Sequence, residues 1–185
     1  FILIPASYYI PLWVQGVSGL TATMSVIATF PMSTLWLIGA ILAGRLLPKY
    51  SIGFVSTVGI VIITIGCLGL TLMKTDTTIP FMMGVTAIQG LGFGLAMTTL
   101  TVTVQSAVEW KVRGAAMGSH SLMKGLGQAI GISISGLWLS DELKGAPLES
   151  GLHSAFLLLL ILGGICFIVN GAFLGRRRME MKEEH

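Results

Sequence analysis

An all-α integral membrane bundle of about six transmembrane helices is the fold this sequence predicts, and three observations predict it. Hydrophobic residues make up 54% of the 185-residue chain and charged residues only 10%, against about one-quarter charged in soluble domains. Mean hydropathy is +0.87. The apolar residues are gathered into stretches of about 20 or more, each long enough to cross a hydrocarbon core of about 30 Å. This composition argues strongly against a water-soluble fold.

Six apolar segments follow in order: 1–14, 21–46, 52–73, 80–108, 114–139 and 153–174. The first is short. It opens on Phe1 and lacks a basic region or cleavage site, so it does not read as a signal peptide and is expected to be a truncated first helix. The second contains Pro31, which removes a backbone donor and frees a carbonyl or kinks the helix. The third and the sixth each hold a lone cysteine, Cys67 and Cys166, without the spacing of a disulfide framework, a zinc site or a redox motif. The fourth carries Gln89 and Gln105, and the fifth carries His120, Lys124 and Gln128. Brief polar connections at 16–19, 48–51, 74–78 and 109–113, and a longer one at 140–152, contain no interdomain linker. Residues 1–175 are therefore expected to form one transmembrane unit, with 176–185 as a tail.

Alternating helix directions place Arg45, Lys49, Lys111, Arg113, Arg176, Arg177, Arg178 and Lys182 on one side and only Lys74 and Lys144 on the other. Basic flanks are retained on the cytoplasmic side, so the tail is expected inside and the acidic loop with Asp141, Glu142 and Glu149 outside. These cations sit at the ends of apolar runs and form no stripe with interleaved aromatics, which excludes a nucleic-acid surface. Trp13 and Trp138 near the outer boundary, and Trp110 near the inner one, read as interfacial anchors. The 24 glycines favour close helix packing, with Gly114-x-x-x-Gly118 and Gly127-x-x-x-Gly131 marking one such face.

The stretch Gly44-Arg45-Leu46-Leu47-Pro48-Lys49-Tyr50 resembles the second, degenerate copy of the major facilitator loop motif, G-R-L-x-D-R-x-G-R in its fuller form. Pro48 stands where that motif has its acidic residue, which removes the charge that would engage a neighbouring helix end. The run Val104-Gln105-Ser106-Ala107-Val108, the turn ending in Arg113-Gly114, and Ser121 through Lys124-Gly125-Leu126-Gly127 to Gly131 resemble a helix pair of the EmrB/QacA drug-resistance branch. The opening Tyr8-Tyr9-Ile10-Pro11-Leu12-Trp13-Val14-Gln15, followed by Gly19, resembles the start of that branch's C-terminal half. The resemblance implies two pseudo-symmetric six-helix halves around a central cavity, with this chain as the second half. It implies exchange of protons for drugs or other small amphipathic molecules across the inner (cytoplasmic) membrane by rocking around a midplane site. The implied partners are the N-terminal half of the same transporter, a small-molecule substrate and the lipid bilayer. No cofactor is expected; the proton gradient is the energy source.

Lys124 lies about 15 Å along its helix from the turn at Gly114, near mid-bilayer. A cation facing lipid there costs at least about 2.5 kcal/mol, so the ammonium should face a wet cavity, the bundle interior or a counter-charge. It reads either as a contact for substrate or for a carboxylate of the other half, or as a structural cation that caps carbonyls or snorkels to water. His120 and Gln128 lie four residues to either side, on the same stripe. His120 is a candidate proton relay or simply a hydrated side chain. Gln89 is a candidate cavity amide, with interhelical hydrogen bonding as the alternative, and Met82, Met83 and Met97 could form a pliable wall or ordinary packing. None of the apolar runs contains an aspartate or glutamate, so proton-coupling carboxylates are expected in the other half.

An intramembrane hydrolase built on Ser133 or Ser135 with His153 lacks both the G-x-S-x-G elbow and an orienting acid. No catalytic residue and no metal site is expected. A transporter of another small solute, or a non-transporting scaffold subunit, are the alternatives; the midplane cation argues against the scaffold.

Overall fold

The computed structural model describes residues 10–11, 13–17, 19, 21–73, 77–142, 157, 160–161 and 164. A π-helical turn at Trp13–Val17 precedes four long helices: α1 (Ala22–Leu46), α2 (Ile52–Thr71), α3 (Ile79–Ser106) and α4 (Arg113–Glu142), with a 3-10 turn at Trp110–Val112 before α4. The described residues contain no strand. Most of the expected sixth segment, His153, Cys166 and the tail at 176–185 lie outside the described residues, as do positions 1–9 and 12 of the first segment and 143–152 of the acidic loop.

Local chemistry sets the ends of these helices. Gly19 takes a φ of +63°, a left-handed conformation that only glycine adopts cheaply, and turns the chain into α1. Pro48 cannot continue α1, and Lys49 and Tyr50 donate back to the Leu46 carbonyl at 2.9 and 2.8 Å. The Ser51 hydroxyl then accepts from Phe54 N at 3.3 Å and caps α2. Pro80 occupies the first turn of α3, where its missing N–H costs nothing.

α1, α2 and α3 are each long and apolar enough to cross a membrane. α4, at 30 residues, is about 45 Å long but more polar, and is not among those three. It also runs to Glu142, three residues into the connection expected at 140–152.

α3 is the central rod. Its buried residues, among them Met82, Val85, Gln89, Gly90, Gly92, Phe93, Gly94 and Ala96, fall on more than one face. On one side α1 runs parallel to it. Thr86 Oγ1 donates to the Ala28 carbonyl at 2.7 Å, a sequence separation of 58, and the same separation relates Gly90 to Met32 and Gly94 to Trp36. On the other side α2 runs antiparallel: Gly59 faces Ala96, Ile63 faces Gly92, Gly66 faces Gln89 and Gly69 faces Val85. The alternation of direction used in sorting the basic flanks thus holds for these three helices. A Cβ on Gly90 or Gly94 would meet the backbone carbonyl of Met32 or Trp36, and one on Gly92 would lie 2.8 Å from Ile63 N. Glycine is therefore what lets these backbones touch, as dispersion between helices requires when lipid is as apolar as the side chains.

Outside these contacts the spans are apolar to their surface. Val26, Phe30 and Leu37 on α1, and Phe54, Ile65 and Leu68 on α2, are exposed. A helix apolar all round belongs in lipid. Ile10, Trp13 and Val14 join Leu70, Met73, Met82 and Val85 in the main buried cluster. Trp13, expected as an interfacial anchor, is instead fully buried, because the turn that carries it packs onto the spans. Threonine hydroxyls satisfy themselves on their own helices, as Thr57 does on Gly53 O at 2.8 Å and Thr103 on Thr99 O at 2.7 Å.

Replacing Thr86 by valine keeps the shape and removes the α1–α3 hydrogen bond. Its expected cost is about 0.6 to 1.7 kcal/mol, the range for interhelical bonds in membranes. A reversible unfolding titration in mixed micelles would read it, and an unchanged midpoint would show that the bond contributes nothing.

Candidate functional site

Two polar features of α3 and one stripe of α4 could contact something other than lipid. The first is Gln89, fully buried where α3 meets α2. Its Nε2 points to Cys67 Sγ at 3.9 Å, a long and weak contact, and its Cγ lies against Gly66. Its Oε1 has no hydrogen-bond partner among the described residues. The amide expected to face a cavity is thus wedged between two helices. Met82 is likewise packed in the core, while Met83 and Met97 are half-buried. An unpaired buried carbonyl costs about 1 to 3 kcal/mol. Gln89→Met keeps the chain length and removes the orphan acceptor, so it is expected to raise stability by about 1 kcal/mol. A drop of that size in the unfolding midpoint would instead mean that the oxygen makes a bond in the bilayer.

The second feature closes α3. Its last four carbonyls have no N–H partner within the helix. Arg113 Nε donates to one of them, Gln105 O, at 2.9 Å, and its guanidinium carbon lies 5.0 Å from the centroid of the Trp110 ring. Arg113 thereby caps α3, complements the negative end of its dipole and folds the 107–112 turn back on itself. The sequence gives no sign of this role: Arg113 stands seven residues beyond the end of α3 at Ser106, outside the last turn where a capping cation is ordinarily recognised.

The third is the stripe on α4. Lys124 is exposed, and His120 and Gln128, four residues to either side, are half-buried. One helical face therefore presents an amine, an imidazole and an amide, which together can bind an anion or a hydrogen-bonding ligand and exchange a proton. Among the described residues this face is not buried against α1, α2 or α3. The glycines beside it tell the same story: a Cβ on Gly114, Gly118 or Gly127 meets nothing within 4 Å, while Gly131 is buried. The close backbone contacts lie instead at Gly39, Gly59, Gly90, Gly92 and Gly94. Gly44, Arg45 and Lys49 of the loop motif are exposed at the α1–α2 turn, and a Cβ on Gly44 meets nothing within 4 Å. The described residues hold no cluster of His, Cys, Asp and Glu able to bind a metal.

Apolar spans joined through glycine, with an open polar stripe on a further helix, define a multi-pass membrane protein. Residues 1–132 match the Major Facilitator Superfamily, and the chain belongs to that family. It is 30% identical over 128 residues to the multidrug transporter protein MdtP of Bacillus subtilis, covering 69% of this chain and 24% of the relative. It is 28% identical over 128 residues to multidrug resistance protein 3 of the same organism, covering 69% and 25%. Against the aspyridones efflux protein of Neocamarosporium betae it is 28% identical over 139 residues, covering 74% and 24%. The chain spans about a quarter of the length of these relatives.

Proposed function

We propose that this chain is the C-terminal portion of a secondary transporter of the EmrB/QacA-like branch, which exports drugs or other small amphipathic molecules across the cytoplasmic membrane in exchange for protons. Family membership supports transport rather than enzymatic catalysis. The multidrug and efflux names of relatives that match over some 70% of the chain support an amphipathic cargo. The observation that carries the reading is Lys124. An exposed cation on a helix of a membrane bundle is stable only against water or a counter-charge. The α4 face with His120, Lys124 and Gln128 accordingly borders the transport path and meets the N-terminal half. The lack of aspartate and glutamate from the apolar runs assigns the coupling carboxylates to that half. The eight-to-two bias of basic flanks supports a cytoplasmic C-terminus.

The test is transport by the protein reconstituted in liposomes, with ethidium as the probe. An imposed proton gradient should drive ethidium movement, and a protonophore should abolish it. Ethidium flux that ignores the gradient would defeat the proton-coupled assignment.

A further inference from the structure

We propose that the end of the bundle formed by the α1–α2 and α3–α4 turns binds anionic phospholipid headgroups. The parallel packing of α1 on α3 brings the two turns together. At the separation of 58 that relates Thr86 to Ala28, Leu46 at the end of α1 lies level with Val104. That leaves α3 only two residues, about 3 Å, to its own end at Ser106. Arg45 in the last turn of α1, Lys49 in the following turn, and Lys111 and Arg113 between α3 and α4 are therefore neighbours at one end, although up to 68 positions separate them in sequence.

Arg113 is engaged by Gln105 O and the Trp110 ring. Arg45, Lys49 and Lys111 are exposed, and among the described residues none is paired with a carboxylate, although Glu109 stands in the same turn. Two amphipathic rings share this end. Trp110 is 80% exposed, and Tyr50 is 52% exposed and tilted against Phe54 at 5.4 Å between centroids.

Helices of this length place their ends in the headgroup layer, where indole and phenol rings settle with one polar edge in water. Unpaired cations at that depth need counter-charge. Screening within about 8 Å at physiological ionic strength means that only a direct neighbour supplies it. A phosphodiester bearing net negative charge does so, and a zwitterionic headgroup supplies none on balance. The inference requires only that the spans lie in a bilayer and is independent of what the protein carries.

The test uses the protein reconstituted in phosphatidylcholine bilayers with trace spin-labelled phosphatidylglycerol or spin-labelled phosphatidylcholine, reading the motionally restricted fraction. The restricted fraction should favour phosphatidylglycerol. The double variant K49A/K111A should lower that preference about twofold to fivefold, and K49R/K111R should keep it. Equal restriction of the two lipids by the unaltered protein would overturn the assignment, and so would a preference untouched by K49A/K111A. Displacement of phosphatidylglycerol by inorganic phosphate at equal charge would also overturn it, by showing a site for free anions in place of lipid.

Discussion

Gly90→Leu is expected to prevent stable assembly of the three-helix unit. A Cβ at this position meets the carbonyl oxygen of Met32, with Met32 Cα 2.8 Å away, so the obstacle is backbone that cannot rotate aside. Relief requires α1 to move off α3. That movement breaks the 2.7 Å bond from Thr86 to Ala28 O and opens the contact of Gly94 with Trp36 one turn further on. Overpacking a core ordinarily costs about 1 to 3 kcal/mol where side chains can adjust. Here the adjustment falls on two backbones, and the cost should exceed about 3 kcal/mol. Gly84→Ala is the internal control, because Gly84 lies on the same helix with nothing within 4 Å of its Cβ. It should leave the unfolding midpoint unchanged or raised, since alanine is the better helix former by about 1 kcal/mol. A Gly90→Leu protein that unfolds at the wild-type midpoint would show that α1 does not pack on α3 as described.

That contrast also marks where sequence and structure part. The spans were legible because run length against bilayer thickness is a strong signal. The second segment begins within one residue of α1 and ends with it, and the fourth begins within one residue of α3. The fourth segment ran on to Val108 because Ala107 and Val108 are apolar, although the helix stops at Ser106 and Arg113 returns to cap it. Which faces touch was not legible. α1 and α3 are apolar on every side, so hydrophobicity carries no directional information along them. Gly90-x-x-x-Gly94 has the same spacing as Gly114-x-x-x-Gly118, and spacing alone does not rank one pair above the other. Only the partner decides: Met32 and Trp36 stand against the first pair, and nothing described stands against the second. Gln89 shows the same limit. A lone amide in an apolar run announces that something polar is needed there, but whether it faces a cavity or is wedged against Gly66 and Cys67 depends on a neighbouring helix.

Lys124→Met should lower the initial rate of proton-driven ethidium transport at least about tenfold, equivalent to about 1.4 kcal/mol of lost interaction, while leaving assembly intact. Two observations lead to this combination. Lys124 is exposed, so removing its charge breaks no contact within the described bundle. It also lies eleven residues beyond Arg113, about 16 Å along α4, at a depth where an ammonium facing hydrocarbon would cost at least about 2.5 kcal/mol. A residue held there against that cost, without a stabilising contact among the described residues, points to a wet path or to a counter-charge across the interface. If the role is electrostatic, Lys124→Arg should retain most of the rate, and His120→Ala and Gln128→Ala on the same stripe should have smaller effects. A cation that only caps carbonyls predicts the reverse: unchanged transport, with stability falling as the charge is removed. Lys124→Met and Lys124→Ala proteins that both transport at the wild-type rate would take Lys124 out of the mechanism, and the reading of this α4 face as part of the transport path would go with it.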